Sequence, residues 1–242
     1  HFAISYSLIL AGVLQVAFMW FYVSKARLTF SPSLNFCNDP DVTKLLKNMG
    51  PAAMSSGAQQ VNLFVSQSIA SFIPGAVSIL SYAERLYQLP LAIIGVTFGT
   101  ILLPELSQIY QKKDITSANN LQNNAIIISL VLSVPATIGL FVLANPIIHL
   151  IYERGVFVSE DTIKTANALA AFSLGLPAFV IAKILTPIFY AHGDTKTPMR
   201  ITIYSLLVNT FLNIVLMIPF GHVGIAMGSS IAAWYNVGLL NK

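Results

Sequence analysis

Seven apolar stretches, each about as long as a bilayer is thick, constrain this chain more than any other feature. A membrane-crossing helix needs about 20 mostly apolar residues to cover ~30 Å of hydrocarbon. Residues 2–23, 49–73, 76–107, 121–144, 166–190, 201–220 and 223–240 meet that requirement. Composition agrees: only 9% of the residues are charged, 55% are hydrophobic, and the mean hydropathy is +0.73. A soluble domain carries about 25% charged residues to cover its surface. Lipid must do that work here, so the expected fold is an all-α, polytopic membrane protein with about seven transmembrane helices. The chain opens directly in an apolar segment without an initiator methionine. It therefore reads as a piece of something longer, without a signal peptide.

Charge placement predicts orientation. Lys25, Arg27, Lys44, Lys47, Lys112, Lys113, Lys196, Arg200 and Lys242 fall at one set of span ends. Only Arg154 and Lys164, beside Glu153, Glu160 and Asp161, fall at the other. Nine against two predicts that the first set is cytoplasmic. The net charge of +4 thus reports topology and excludes a nucleic-acid stripe. Cys37 is the single cysteine, so no intramolecular disulfide forms. The histidines share no metal spacing, and no nucleophilic triad, Walker loop or dinucleotide fingerprint is present. An enzyme is not expected, nor is any cofactor.

Turn chemistry separates the spans. Ser31-Pro32 and Asp39-Pro40 punctuate a polar linker, while Ile73-Pro74-Gly75 and Phe220-Gly221 predict tight reversals. Ser159, followed by Glu160 and Asp161, predicts a helix N-cap, and Thr197-Pro198 predicts another. The second span carries Ser55, Ser56, Gln59, Gln60, Asn62, Ser66, Gln67 and Ser68, which are costly in lipid. Other helices or a wet cavity should surround it. The third span is long enough to tilt or protrude.

The intramembrane polar groups are the candidate site. Arg85 lies near the outer end of the third span. Drawn on an uninterrupted α-helix, Ser81, Arg85, Gln88, Ala92, Gly95 and Gly99 form one polar or small stripe. A guanidinium at its head suits a bidentate grip on phosphate. The alternative is an interfacial arginine snorkelling beside Tyr82 and Tyr87 and neutralised by Glu84; substrate contact is the favoured reading. Glu84 could orient the arginine, carry a proton or form a structural pair. Gly95 and Gly99 have the GxxxG spacing of close helix packing. Pro90 and Pro104 free the carbonyls of Leu86 and Thr100 and permit a bend. Lys183 sits inside the fifth span, and Pro187 deprives its carbonyl of the helical donor; a substrate-lined cavity and snorkelling are both open. Asn209 and Asn213 share a face of the sixth span, one turn apart. With Ser229 they could coordinate a monovalent cation, although interhelical hydrogen bonding accounts for the pair without one.

Three stretches carry a family resemblance: residues 82–107 (YAERLYQLPLAIIGVTFGTILLPELS), 152–157 (YERGVF) and 189–199 (FYAHGDTKTPM). Together they resemble the MurJ/MviN family of lipid II flippases, in the multidrug/oligosaccharidyl-lipid/polysaccharide exporter superfamily. The resemblance implies helices six to twelve of a fourteen-helix, two-lobe transporter. Residues 1–24 would be the last helix of the N-terminal lobe, 25–47 a cytoplasmic linker, and 48–242 the C-terminal six-helix lobe. It implies that Arg85 recognises a lipid diphosphate with Glu84 and Gln88 beside it; with Lys183, from the reading of the fifth span, these form the expected substrate-binding set. Glu84 stands where the family usually has aspartate, and Gln88 where some members have glutamate. It further implies a cation site at Ser66, Asn209, Asn213 and Ser229. The aspartates expected there are Ser66 and Asn213 in this chain, which predicts weak or absent sodium binding.

The implied activity is movement of a polyprenyl-diphosphate-linked peptidoglycan precursor from the inner to the outer leaflet of the bacterial cytoplasmic membrane. Alternating access would be coupled to sodium, protons or the membrane potential. Implied partners are the lipid-linked precursor, membrane lipids and cell-wall synthesis proteins, with no nucleic acid. Rival readings are a drug or polysaccharide-lipid exporter of the same superfamily, a non-transporting membrane scaffold, and a seven-helix receptor suggested only by helix count.

Overall fold

The computed structural model describes residues 2–25, 40–112 and 114–241. Most of the linker expected over 25–47, including Cys37, Arg27 and Ser31-Pro32, lies outside the described residues, as do Lys113, Lys242 and the side chains of Lys44, Lys47, Ser55 and Ser56. All the regular structure described is helical: α1 (Phe2–Lys25), α2 (Pro40–Ala70), α3 (Ala76–Leu91), α4 (Thr97–Gln111), α5 (Ile115–Val142), α6 (Ala144–Tyr152), α7 (Ser159–Ser173), α8 (Leu176–Ala191), α9 (Lys196–Phe220) and α10 (His222–Leu240). A π-helical turn, Ala92–Val96, joins α3 to α4. The chain divides into two compact units, His1–Leu46 and Lys47–Lys242.

In the first unit, α1 exposes large apolar side chains on every face, among them Val13, Phe18, Trp20 and Phe21. In the second, polarity runs opposite to that of a soluble protein. Phe64, Ile93, Phe211 and Ile218 are exposed, whereas Asn209, Asn213, Ser129, Ser173 and Ser230 are buried. An apolar outside around a polar inside is what a bilayer selects. Four helical segments have the length and hydropathy to cross: Ala76–Gln111, Ile115–Val142, Lys196–Phe220 and His222–Leu240. The pair α7 and α8 is a fifth, bent by 43°. The other two expected spans coincide with α1 and α2, and α2 is too polar to qualify on hydropathy alone.

The bend corrects the expectation of one continuous helix over 166–190. Pro177 has no N–H for the carbonyl of Ser173. Gly175 lets α10 approach so closely that a β-carbon there would lie 2.7 Å from Ser230 Oγ. Side chains of α10 then serve carbonyls around the break. Ser230 Oγ donates to Ala171 O at 2.7 Å, and Trp234 Nε1 donates to Leu174 O at 3.0 Å. Backbone freed inside a membrane persists only where a neighbour satisfies it.

α8 packs against α4, α5 and α10 in the middle of the unit, with Leu176, Ala178, Val180 and Ile184 fully buried. The glycine turns form as the sequence predicts, with Gly75 at φ 77° and Gly221 at φ 59°, a region that favours glycine. Two caps differ. Asp194 Oδ1 accepts from the N–H groups of Lys196 and Thr197 at 3.0 Å, so Asp194 rather than Thr197 caps α9. Ser159 is already helical, and its hydroxyl is drawn to Glu153 at 2.8 Å. The sequence also gave no sign of α6, a short amphipathic helix within a segment read as a loop.

Candidate functional site

A cavity of about 600 Å³ lies inside the second unit, walled by α2, α3, the π-turn, α4, α7, α8, α9 and α10. The face of α3 turned to it carries Ser81, Glu84, Tyr87 and Leu91, continued beyond the π-turn by Gly95 and Gly99. This corrects the stripe drawn through Arg85. Arg85, Gln88 and Ala92 are exposed and do not line the cavity. The reason is local geometry. A π-turn holds roughly one residue more than an α-turn, so positions beyond it are set back by about 100°. Gly99, beyond the turn, thereby moves from the face of Arg85 to that of Glu84, which Gly95, eleven residues on from Glu84, shares in either geometry.

Tyr87 is buried between Phe172 and Phe179, with ring centroids 5.0 and 5.5 Å away. It is therefore no snorkelling companion for Arg85. Tyr82 packs on Tyr152 at the end of α6 and on Phe157 of the loop that follows, at 4.8 and 5.5 Å. Glu84 is half-buried in the wall and forms no ion pair with Arg85.

Lys183 lines the cavity from α8. The GxxxG glycines seat it: a β-carbon at Gly99 would stand 3.0 Å from the Lys183 carbonyl oxygen, and one at Gly95 would stand 3.4 Å from Lys183 Cβ. The packing role read from the spacing holds. The carbonyl that Pro187 leaves without its helical donor thus faces Gly99, where a side chain would crowd it.

The four residues of the candidate cation site come together. Ser66 Oγ lies 3.2 Å from Asn209 Oδ1, the Asn213 amide lies 3.0 Å from both Ser66 Oγ and Asn209 Oδ1, and Asn209 Nδ2 donates to Ser229 Oγ at 3.2 Å. With the Asn213 amide turned so that both ends find partners, its nitrogen donates to the carbonyls of Ile225 and Asn209 at 3.1 and 3.2 Å, and its oxygen accepts from Ser66. The cluster ties α2, α9 and α10 with neutral groups alone. No group of three or more His, Cys, Asp or Glu side chains among the described residues could hold a metal ion.

The lipid II flippase MurJ family model matches residues 1–241. The chain belongs to the MurJ lipid II flippase family. Among curated MurJ relatives, a probable lipid II flippase of Rickettsia prowazekii (strain Madrid E) is 63% identical over 98% of this chain and 47% of its own length. One of Rhizobium tropici is 43% identical over 96% of this chain and 44% of its own length. The chain thus spans about half the length of the MurJ relatives it matches. A solved structure of lipid II flippase MurJ in an inward closed conformation superposes with TM-score 0.72 and 32% identity, over 92% of this chain and 47% of that one. A crystal structure of a MATE P26A mutant superposes with TM-score 0.76 at 17% identity, over 96% of this chain and 52% of that one, which shows a shared fold. Like MurJ proteins generally, the chain is a multi-pass protein of the bacterial inner membrane, in a family of transporters rather than enzymes.

Sequence reading passed over a second GxxxG pair, Gly224 and Gly228 on α10. A β-carbon at Gly224 would overlap the Leu216 carbonyl, and one at Gly228 would stand 2.5 Å from Asn213 Oδ1. The spacing was visible, but its meaning depends on α9 lying alongside. It also passed over Glu153, which gathers His149 Nδ1 at 2.7 Å, Ser159 Oγ at 2.8 Å and Thr162 Oγ1 at 2.6 Å.

Proposed function

We propose that residues 48–242 form the second lobe of a flippase that carries a polyprenyl-diphosphate-linked peptidoglycan precursor from the inner to the outer leaflet by alternating access. Membership of the MurJ family over residues 1–241 carries the reading. The lobe's design supports it: a polar cavity inside an apolar exterior, bordered by a helix with a π-turn and by a broken helix, follows the general pattern of transporters with midplane sites. A non-transporting scaffold would have no use for Glu84 and Lys183 in that cavity, since intramembrane charge is costly.

Arg85 is assigned to the diphosphate. Its exposed position on α3 suits a group that meets a ligand beside the lobe rather than within it. Its planar fork can hold two phosphate oxygens in water-poor surroundings. Full-length protein with Arg85→Ala should fail to support growth of cells depleted of their own flippase, at normal membrane level. Arg85→Lys, which keeps the charge but loses the fork, should support partial growth at most. Normal growth on Arg85→Ala would refute the assignment.

A further inference from the structure

The cavity's charge pattern separates it from the diphosphate. Its lining holds one carboxylate, Glu84, and one ammonium, Lys183, and its other polar groups are neutral. Arg85 stands outside. A carboxylate in the wall repels phosphate, and a single lysine offsets only part of a diphosphate's charge. Glu84 and Lys183 form no ion pair with each other, so neither charge is cancelled by the other.

The neutral wall mixes hydroxyls with side-chain amides, and three of the amides stand on α2. Gln59, Asn62 and Gln67 of α2 face a cavity that Asn236 also lines. Each offers both donors and an acceptor, the same complement as a peptide group. Asn62 Oδ1 is buried without a hydrogen-bond partner. An orphaned acceptor is unfavourable until a donor reaches it. At about 600 Å³ the cavity falls within the size range of sites that enclose small organic ligands.

We propose that this cavity takes the peptide portion of the precursor's headgroup, with a peptide ammonium at Glu84, a peptide carboxylate at Lys183 and peptide amides against the α2 wall. The proposal rests on the flippase reading above and adds a division of labour. Arg85 reads the diphosphate outside the lobe, and the cavity reads a zwitterionic, amide-rich segment.

Binding to full-length protein in nanodiscs tests it with five ligands: the polyprenyl-diphosphate precursor with its peptide, the same lipid lacking the peptide, the precursor with its peptide amine acetylated, the precursor with its peptide carboxylate amidated, and the free peptide. The intact precursor should bind about tenfold more tightly than the acetylated form, the effect of one charge-assisted hydrogen bond, and more tightly still than the peptide-free lipid, which loses every peptide contact. Glu84→Gln should bring the intact precursor down to the acetylated one and leave the peptide-free lipid unchanged. Lys183→Met should likewise abolish the preference for a free over an amidated peptide carboxylate. Equal binding of the intact and peptide-free lipids would overturn the proposal, as would equal weakening of both by Glu84→Gln. A free peptide that binds as tightly as the lipid-linked form would overturn the assignment to the headgroup. The comparison of ligands on the unaltered protein stands even if a variant fails to fold. Loss of peptide-free lipid binding in Arg85→Ala reports separately on the flippase reading.

Discussion

At the loop between α6 and α7, hydrogen bonds from His149, Thr162 and Ser159 hold the Glu153 carboxyl at a pKa of about 2, below its ordinary value of 4.5. A lowered carboxylate pKa adds stability that is complete above the ordinary value and is lost as pH falls through the folded one. Amide exchange at Val158–Thr162 should therefore be pH-independent, after correction for intrinsic rates, down to about 4.5 and should lose protection between there and about 2. Glu153→Gln should lack that acid-dependent step; an unchanged step would show that another group controls the loop. The Ser66/Asn209/Asn213/Ser229 cluster is a second node at this scale. We assign it to helix pairing, because its neutral side chains hydrogen-bond across α2, α9 and α10. Sodium should leave the melting temperature unchanged. Asn213→Ala should lower stability by about 1–3 kcal/mol by orphaning buried partners, with or without sodium. A sodium-dependent thermal shift that vanishes in Asn213→Ala would show a bound cation instead.

Among elements, the α9–α10 hairpin is held by absence of side chains. Gly224 and Gly228 let the α10 backbone rest against Leu216 and Asn213, which also positions the Asn213 amide in its cluster. Alanine at either position must push the helices apart, at about 1–3 kcal/mol or more. Gly139 of α5 has nothing within 4 Å of where its β-carbon would stand. There alanine should be neutral or stabilising, because glycine weakens a helix interior by roughly 1 kcal/mol. Thermal unfolding in detergent separates the cases, and equal stability of Gly224→Ala and Gly139→Ala would rule out the close crossing. The α7–α8 break follows the same logic, since Gly175 admits Ser230 and Trp234 to the carbonyls the bend exposes.

For the whole molecule, orientation is set by the basic residues at the span ends. In a Cys37→Ser background, Lys112→Cys and Lys196→Cys should label only from the cytoplasm, and Glu160→Cys only from outside. Labelling of the Glu160 position from the cytoplasm would invert the topology. The apolar exterior needs lipid cover, as exposed Phe64, Ile93 and Ile218 indicate. Removal of lipid or detergent should therefore aggregate the protein rather than yield a soluble lobe.

Helix content, span positions and the reversals at Gly75 and Gly221 were legible because hydropathy and glycine's freedom act through a residue's immediate neighbours. The Asn209/Asn213 pair was legible too, since positions four apart share a face of any regular helix. Three things required the tertiary structure. The π-turn at Ala92–Val96 brings Gly99 onto the side of α3 that carries Glu84, while Arg85 stays out of the cavity. The break before Leu176 depends on α10 supplying donors from about sixty residues away in sequence. The union of Ser66 with Asn209 and Asn213 depends on α2 returning to α9. A regular-helix projection assumes 3.6 residues per turn throughout. Where neighbouring helices bend or underwind the backbone, that assumption fails, and there only the packed structure decides which side chains meet.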